Sequence, residues 1–523
     1  MTAAAVREPG RVEDILGQRR APLVFGVLTV LLIGWLWGSL NPLPWVYDEA
    51  AYLLQAQIFA AGEWAAPGRP LPEFFEQIHV FVTPRLVPRY PPGHALLMVP
   101  GIWLGATALM PLLFSGLTGA LVFGLARRLA NPWVGLLTWL IWITAPEELY
   151  LRPSFMSQTS STLVWLLAWT ALARWQATGQ RRMLVTVAML GALAGLIRPV
   201  TAIAFLIPVG LVILKRVIAE REWRALLVAI AAALPVAAIG PGWSLATTGR
   251  AFPTPYSEYS RVYTPWNMPG FQVDTSPPLR PEIPAISRFR REWLPLHQSH
   301  RIERLPAILF ERVRGIVMTV WGGPGGEGWA WRYLLVPMAL LGLLGLPAPA
   351  RVVGWCAGSI VLIMLSLASR PLWTVYYLEV FPWFALVTAL GVWRVARWTA
   401  SRAGREGLAA WLVGIGIVAS FPRGVDRLIR ARDQQVTVRL SHQELAQAIA
   451  TIPGKAVVFV AAGPAHRPYE SLVTNEPDLE GARVWVVHDR GDDNRRLIAV
   501  AAGRKAYRWD PGTGRLTGLA TSP

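Results

Sequence analysis

The sequence is dominated by apolar runs of roughly 15 to 20 residues, which recur along most of the chain between short breaks that carry arginine. Hydrophobic residues make up 53% of the 523 residues, tryptophan occurs 26 times, and the mean hydropathy is +0.38. A segment that crosses a bilayer must satisfy its backbone hydrogen bonds internally, so repeated runs of this kind form helices. The sequence therefore predicts an all-α polytopic membrane bundle and excludes one long soluble core.

Charge is concentrated at the ends of these runs. The formal net charge is +18, and nearly all of it is arginine, because lysine occurs only at 215, 455 and 505. Basic residues at the ends of spans set their orientation in the membrane. No soluble segment combines a basic stripe with interleaved aromatic residues, so nucleic-acid binding is not predicted. The single cysteine, Cys356, excludes a disulfide framework and a thiolate metal site.

The pattern of arginines predicts a topology with about eleven crossings. Arg19 and Arg20 precede the first run, which places the N-terminal tail, 1–21, in the cytoplasm and the loop that follows the first span outside. The transmembrane module is predicted over 22–421, with outer loops at 41–93 and 246–332. The predicted crossings are 22–40, 109–126, 132–146, 159–175, 183–197, 199–214, 225–245, 333–349, 352–369, 374–393 and 407–421. The last of them is the weakest, because Arg423, Arg427, Arg430 and Arg432 would lie just outside it.

Two hydrophilic regions are predicted to have structure of their own. The stretch "RIERLPAILFERVRGIVMTVW" in the second outer loop places apolar residues at helical spacing with arginines opposite, which is typical of an interfacial helix. In the last region, 422–523, "KAVVFVAA" and "ARVWVVHD" have the pattern of short buried strands separated by turn residues. We therefore predict a small soluble extracytoplasmic α/β domain there.

Acidic residues at the predicted outer ends of spans are the first candidates for chemistry, since carboxylates next to a membrane usually mark function. They are Asp48 and Glu49 directly after the first span, Glu147 and Glu148 in "ITAPEELYLRPS", and Glu379 in "RPLWTVYYLEVFPW". Such carboxylates serve either as ligands of a hard cation or as a general base with a raised pKa. For Glu148 the alternative is an ion pair with Arg152, four residues later on one helix face.

Arginines and aromatic residues on the same predicted face complete the candidate site. Arg198 in "GLIRPV" and Arg370 in "LASRPLW" each interrupt apolar runs, and a guanidinium can clamp a phosphate through two hydrogen bonds. The alternative is that each simply ends a helix and extends toward the lipid headgroups. In "PRYPPGHALL", Tyr90, Pro91, Pro92 and Gly93 have the pattern of a rigid entry turn into the next helix, and His94 is either a substrate contact or a structural residue.

The order of these motifs resembles a known family. An outer "YDEAAYLLQAQIFAAGEW", then "RYPPGHALLMVPGIWLG", "RPSFMSQTSSTLVWLLAW" and "GLIRPVTAIAFLIP" are similar in arrangement to the bacterial membrane glycosyltransferases of the GT-C superfamily. The group that they resemble most in pattern is that of the dolichyl-phosphate-mannose protein mannosyltransferases and aminoarabinose transferases. The resemblance extends over roughly residues 20 to 400.

The resemblance implies an enzyme of the bacterial inner (plasma) membrane with an extracytoplasmic active site. Its donor would be a sugar on a polyprenyl phosphate, and its acceptor would be a glycan, a lipid or a protein. The protein would also contact membrane lipid. Asp48, with Glu49 beside it, would be the catalytic base or a metal-associated carboxylate, and Glu147 or Glu148 would form the second acidic site. The family's second site usually contains aspartate, so the need for a divalent metal (Mg²⁺ or Mn²⁺) on Asp48 and Glu148 stays open. The residues expected to contact substrate are Tyr52, Tyr90, His94, Arg152, Tyr256, Tyr259, Trp266, Tyr376 and Glu379, with Arg198 and Arg370 on the donor phosphate.

Two other functions are compatible with a polytopic bundle. A flippase for polyprenyl-linked glycans would carry charges along a path through the bilayer, whereas here they gather at the outer ends of spans. A membrane scaffold that presents the C-terminal domain would give no reason for "YDEAAY". The residues therefore favour an inverting glycosyltransferase that uses a lipid-linked sugar.

Overall fold

The computed structural model describes residues 11–271, 273–280, 284–321, 333–367, 373–405, 407–461, 472–501 and 503–519. These residues are mostly helical, with two small sheets. The helices of the first half are α1 (Arg11–Gly17), α2 (Ala21–Trp37), α3 (Tyr47–Ala60), α4 (Pro92–Trp103), α5 (Leu109–Leu129), α6 (Pro132–Ile143), α7 (Pro146–Leu151), α8 (Gln158–Thr178), α9 (Arg181–Ile197), α10 (Pro199–Glu220) and α11 (Trp223–Thr248). The later helices are α12 (Pro255–Tyr263), α13 (Pro284–Ser299), α14 (Leu305–Ile316), α15 (Leu335–Leu343), α16 (Ala348–Met364), α17 (Phe381–Arg402), α18 (Leu408–Thr437), α19 (Leu440–Ala450) and α20 (Asn494–Val500).

Fewer helices than the eleven predicted crossings have the length and hydropathy of a membrane span. Within the described residues there are five: α5, α10, α11, α18 and the continuous segment Thr374–Arg402 that ends in α17. The pair α15 and α16 meets the same criterion when taken together, but it is bent by 119°. The predicted runs at 22–40 and 132–146 form the shorter apolar helices α2 and α6. The protein is therefore a membrane bundle with several apolar helices, and the count of eleven stays a prediction.

Small residues let the helices of the bundle approach closely. A Cβ atom added to Gly342 in α15 would lie 1.7 Å from the carbonyl oxygen of Val387 in α17, and one added to Gly391 would lie 1.7 Å from that of Met338. Only glycine fits at such a crossing, where backbone packs directly on backbone. Substituting either residue would force these two helices apart.

Arginines hydrogen-bond to the carbonyl groups at the C-terminal ends of neighbouring helices. Those carbonyls have no partner within their own helix and carry the negative end of its dipole. Arg427 donates to Thr144 O at 2.7 Å and Arg432 to Leu36 O at 2.8 Å, so α18 holds the ends of α6 and α2. Arg127, Arg216 and Arg394 do the same for α1, α8 and α15.

The first outer loop folds around a small three-stranded sheet between α3 and α4. Its strands are β1 (Ala66–Pro67), β2 (Val80–Phe81) and β3 (Arg85–Pro88), in the order β1-β3-β2 with antiparallel pairs. The short apolar run after this loop forms α4, 12 residues long, which is not among the helices with the length and hydropathy of a membrane span. The loop thus returns the chain to the level at which α3 begins.

The second outer loop forms its own aromatic core from α12 and α13. Tyr259, Tyr263, Trp266, Phe289 and Trp293 are all buried there and pack against residues of the first loop. The predicted interfacial helix is present as α14, and it exposes Leu309, Phe310 and Val313 on one face. This arrangement is typical of a helix that lies on a bilayer surface.

The chain after the last apolar segment forms a mixed sheet. Its strands are β4 (Ala456–Val460), β5 (Val484–His488), β6 (Lys505–Asp510) and β7 (Arg515–Gly518), in the order β5-β4-β6-β7. The first three are parallel, and β6 and β7 are antiparallel. Both predicted strands are therefore formed, as β4 and β5. The predicted domain boundary at 421/422 falls inside α18, which continues from Leu408 to Thr437.

Candidate active site

Asp48 lies in the first turn of α3 with its carboxylate partly open to solvent. The side chain is 37% exposed, in contrast to the residues around it. The hydroxyl of Tyr90, just before α4, donates a hydrogen bond to Asp48 Oδ1. His79 Nε2 lies 3.9 Å from Asp48 Oδ2, and burial beside Arg89 holds the pKa of His79 well below its usual range. The Asp48 carboxylate is thus oriented by the phenol of Tyr90, with the imidazole of His79 close by.

Stacked aromatic rings fix the hydroxyl that orients Asp48. The rings of Tyr52 and Tyr90 are stacked with centroids 4.4 Å apart, and Tyr52 donates to Ser157 Oγ at 3.0 Å. Both tyrosines are almost fully buried. The structure therefore brings together Asp48, Tyr52 and Tyr90, as the sequence predicts, but the two rings form the wall of the site and offer little surface to a substrate.

Glu49 has a different environment from its neighbour. It is fully buried, and its two oxygens accept from the backbone N–H of Trp45 at 2.9 Å and of Phe155 at 3.0 Å. Arg439 Nη2 lies 3.9 Å from Glu49 Oε1. Burial raises the pKa of Glu49, and Arg439 and the two N–H donors oppose that effect. The interpretation of Glu49 as a second catalytic carboxylate is therefore not supported, because the side chain is buried and each of its oxygens accepts from a backbone N–H group.

Glu148 forms the ion pair that was the alternative interpretation of its spacing. Arg152 Nε and Nη2 each lie 2.6 Å from Glu148 Oε2, and Trp142 Nε1 donates to Oε1 at 2.7 Å. Arg152 is buried and is paired with Glu148 through both Nε and Nη2, so it is not placed to contact substrate. Glu147 is half-buried beside them. This cluster joins α6, α7 and the loop before α8 as a structural unit.

Arg198 is brought together with a residue far from it in sequence. Its Nε lies 2.9 Å from Oε1 of the fully buried Glu379, and it also donates to Thr201 Oγ1 at 3.3 Å. The Arg198 side chain keeps 14% of its surface exposed, so it can reach a ligand while paired. Glu379 is its counterion and is closed to substrate, while Tyr376 nearby is only half-buried. The other predicted phosphate ligand, Arg370, lies outside the described residues.

Arg89 is a site residue that the sequence reasoning missed. Its guanidinium carbon lies 4.3 Å from the centroid of the Tyr256 ring, and the rings of Tyr90 and Tyr259 lie within 5.4 Å. The side chain is 4% exposed, and its Nε and Nη1 have no hydrogen-bond partner among the described residues. A buried guanidinium is costly unless an anion satisfies it. The signal in the sequence is its position beside Tyr90 in "PRYPPG", since Arg89 does not interrupt an apolar run as Arg198 and Arg370 do.

The other predicted substrate contacts divide according to burial. Tyr256 is half-buried against Arg89 and remains a candidate. Tyr259 and Trp266 are buried in the aromatic core of the second outer loop, so in this conformation they cannot stack on a sugar. His94 is fully buried, with Nδ1 at 2.8 Å from Ser160 Oγ and Nε2 at 2.9 Å from Phe155 O. It takes the structural role that was the alternative for a lone histidine.

The carboxylates proposed for a divalent metal do not fit one. Both oxygens of Glu148 are engaged by Trp142 and Arg152, and the positive charge of Arg152 lies where a cation would bind. Asp48 accepts from Tyr90. In the described segments no group of three or more histidine, cysteine or acidic side chains is arranged to hold a metal ion. A metal shared by Asp48 and Glu148 is therefore not supported by the donor set.

A small, mostly apolar cavity lies beside Arg198, between α8, α9 and α10. Its volume is about 10 Å³, which is room for about one water molecule. Thr201, which accepts from Arg198, is one of its lining residues. The remaining lining residues are Ser161, Val164, Trp165, Ala168, Leu190, Ala194, Ala202 and Phe205.

Comparison with known proteins places this geometry in a known fold. No family model and no curated protein match the chain. Among solved structures, ArnT from Cupriavidus metallidurans bound to undecaprenyl phosphate matches with a TM-score of 0.52 and 15% identity over 95% of this chain and 94% of that chain. ArnT from the same organism in the apo state matches with a TM-score of 0.51 and 15% identity, over 94% of this chain and 93% of that chain. The archaeal oligosaccharyltransferase AglB from Archaeoglobus fulgidus matches with a TM-score of 0.40 and 13% identity, over 84% of this chain and 62% of that chain.

The chain thus has the fold of ArnT, and the resemblance to GT-C glycosyltransferases that the sequence predicts is confirmed at the level of the fold. At 15% identity the likeness carries no assignment of individual residues.

Proposed function

We propose that the protein is an inverting glycosyltransferase of the bacterial inner membrane, which transfers a sugar from a polyprenyl-phosphate donor to an acceptor hydroxyl at the outer face. The observation that carries this proposal is the position of Asp48. Its carboxylate is partly exposed and is oriented by a hydrogen bond from Tyr90. The residue next to Tyr90 in the chain is Arg89, whose guanidinium is buried and has N–H groups without a partner among the described residues.

Asp48, Arg89 and Arg198 supply what the transfer needs. The acceptor oxygen forms a bond to the anomeric carbon, the bond from that carbon to the phosphate oxygen breaks, and the acceptor proton passes to Asp48. The leaving polyprenyl phosphate keeps the electron pair of the broken bond, so negative charge grows on the phosphate. Arg89 and Arg198 are the cations that would stabilise this charge. Asp48 supplies the base.

The environment of Asp48 also favours inversion. A retaining displacement needs a carboxylate nucleophile beside a second acid or base, as in glycosidases with two closely spaced carboxyl groups. The neighbouring carboxylate, Glu49, is buried and turned to the backbone N–H groups of Trp45 and Phe155. One accessible carboxylate suits a single displacement, in which the acceptor attacks from the face opposite the phosphate.

The helix surface beside Arg198 supports a lipid-linked donor. Arg198 directly precedes α10, which exposes Ile203, Leu206 and Ile207. A lipid phosphate clamped at Arg198 would lead its isoprenoid chain along this apolar surface, without leaving the membrane. ArnT, which shares the fold, was solved bound to undecaprenyl phosphate, and this supports the same class of donor here.

The experiment that tests the function is sugar transfer by the purified protein in lipid nanodiscs. The substrates are polyprenyl phosphates that carry radiolabelled sugars, offered with a panel of glycan, glycolipid and peptide acceptors. We expect the label to move to one acceptor class and free polyprenyl phosphate to accumulate. Movement of intact donor across liposomes without cleavage would instead establish the alternative, a flippase for polyprenyl-linked glycans.

We further propose eleven crossings, with the shorter helices included and both outer loops on one side. The arginine contacts support this, because Arg427 and Arg432 bind helix ends that the proposal places outside, and Arg216 and Arg394 bind ends that it places inside.

An impermeant maleimide tests this topology in intact cells. Single cysteines at Glu63, Gln298 and Asp492, all exposed, replace residues of the two outer loops and of the C-terminal region. The background is Cys356→Ala, which removes the one natural thiol. We expect all three positions to be labelled from outside, and a cysteine at Arg182 to be labelled only after lysis. Protection of any of the first three would contradict the topology.

We also propose that transfer does not need a divalent metal on Asp48 and Glu148, since arginine and tryptophan occupy Glu148. Incubation with EDTA followed by gel filtration should leave the rate of transfer within about twofold of the untreated enzyme, well below the roughly 100-fold loss that removal of a catalytic group causes. Loss of activity that Mg²⁺ or Mn²⁺ restores would show that a metal binds elsewhere in the site.

A further inference from the structure

We propose that the region after the last apolar segment positions the candidate active site: it holds the helix of Asp48 through Arg439, and the loop of His79 through contacts of its sheet with the first outer loop. This inference rests on the proposed function, and it gives a role to residues 438–519.

The first link is Arg439, in the turn between α18 and α19. The side chain is 3% exposed. Its Nε donates to Leu43 O at 2.9 Å and its Nη2 to Pro153 O at 3.1 Å, while Nη2 lies 3.9 Å from Glu49 Oε1. One guanidinium therefore binds three separate parts of the chain, which only the planar fork of arginine can do.

The segments that Arg439 joins are the ones that place Asp48. Leu43 lies in the turn that leads into α3, and Pro153 lies in the turn that leads to Ser157, the acceptor for Tyr52. Glu49 links the same two turns through the N–H groups of Trp45 and Phe155. The buried pair of Glu49 and Arg439 thus fixes the start of α3 relative to the tyrosine wall.

The second link is between the C-terminal sheet and the first outer loop. Phe74 and Phe75 of that loop are fully buried among Val457, Phe459 and Trp485 of the sheet. Polar contacts surround this core. Arg69 is 6% exposed and donates to Glu476 O at 2.5 Å and to Pro477 O at 3.0 Å. His488 Nε2 lies 2.6 Å from Glu76 O. Arg496 forms an ion pair with Glu73 at 3.0 Å.

The loop segment that packs on the sheet, Phe74 to Glu76, is followed directly by the residues that contact Asp48. His79 follows Glu76 by three residues and has a φ of 73°, a conformation that non-glycine residues adopt only when their surroundings impose it. Its carbonyl accepts from the N–H of Arg89 at 2.9 Å. The sheet therefore sets the position of His79, and through it that of Arg89 and Tyr90. Both sides of the site are held from the same C-terminal region.

Arg439, Arg69 and the residues of the sheet do not touch the Asp48 carboxylate, so they are positioning residues. A residue that only positions should change kcat more than the KM for the donor, and should change the mobility of the site. A residue that only stabilises the fold should change neither once the protein is folded. These two roles can be separated in the purified protein.

The first comparison uses the Glu49→Gln/Arg439→Met double variant, which removes the buried charges together and leaves neither unpaired. Arg439→Lys is the second variant, in case the double variant does not fold. The matched control is Arg483→Met, since Arg483 donates to Ile452 O and Ile449 O inside the C-terminal region and contacts neither outer loop. We expect both site variants to lower kcat at least tenfold with the donor KM within threefold. The control should stay within twofold of the wild type.

The second comparison measures how firmly the site is held, without using enzyme activity. Hydrogen exchange of peptides over 45–52 and 79–90 should become at least tenfold faster in Arg69→Met and in the Arg439 variants, while peptides from α10 stay unchanged. Unchanged exchange and kcat in folded site variants, or equal losses in the control, would overturn the proposal. If the wild type transfers no sugar, the proposed function fails, and exchange alone then decides whether the C-terminal region holds these loops.

Discussion

Replacement of Asp48 by asparagine is expected to lower the rate of sugar transfer by about 100-fold or more, which is the usual contribution of a general base. Asparagine has nearly the same shape as aspartate and still accepts a hydrogen bond from Tyr90, but it cannot take the acceptor proton. The fold should survive, because the side chain is partly exposed and forms no buried ion pair. The measurement is initial rate at saturating donor, together with the melting temperature of the purified variant.

Two further variants make this result interpretable. Asp274→Asn makes the same chemical change at an exposed site of the second outer loop, where the carboxylate accepts from Ser276, and it should leave the rate unchanged. Tyr90→Phe removes the donor that orients Asp48 and should lower the rate by about tenfold, less than loss of the base itself. A folded Asp48→Asn enzyme with normal activity would mean that another group takes the proton.

Replacement of Arg89 by methionine should weaken donor binding by roughly 1 to 3 kcal/mol, the range for a charge-assisted hydrogen bond, or about 5- to 150-fold in KM for the donor. Arg89→Lys keeps the charge but loses the planar fork, so we expect it to recover only part of the affinity. The measurement is the KM for the donor and, independently, retention of free polyprenyl phosphate by the purified protein.

Thermal stability separates this role from a structural one. In the absence of an anion, Nε and Nη1 of Arg89 are buried without hydrogen-bond partners, so removing the charge relieves a cost of burial that offsets the lost contacts with the tyrosine rings. We expect the melting temperature of Arg89→Met to fall by no more than a few degrees. Arg261→Met is the control, because Arg261 is exposed and pairs only with Glu258. A large loss of stability with unchanged donor KM would assign Arg89 to the fold.

The part of the site that sequence predicted is the part held by local geometry. Asp48 and Tyr52 are four residues apart and lie on one helix, and the same spacing joins Glu148 to Arg152. The apolar runs likewise predicted the helices, and apolar runs bounded by turn residues predicted β4 and β5. These features follow from helical and strand periodicity and need no knowledge of tertiary contacts.

What the sequence could not show depends on contacts between distant segments. The pairing of Arg198 with Glu379 joins residues that are far apart in the chain, and so does that of Glu49 with Arg439. Tyr259 and Trp266 stand in a loop rich in glycine and proline, where exposed side chains are expected, but they form part of an aromatic core. Periodicity does not reveal packing within an irregular segment. Arg89 was missed for the same reason, since its burial is created by tyrosines from the second outer loop.

The arginines that bind helix ends have a consequence for how the chain is inserted during synthesis. Under the proposed topology, α18 enters the membrane last and with its arginine-rich end outward, against the usual preference for positive charge inside. By then the carbonyl groups of Leu36 and Thr144 are already in place to receive Arg432 and Arg427. The orientation of the final helix would then depend on docking against the first and third apolar helices. A chain that lacks α2 would be expected to insert α18 the other way round and leave its C-terminal sheet in the cytoplasm.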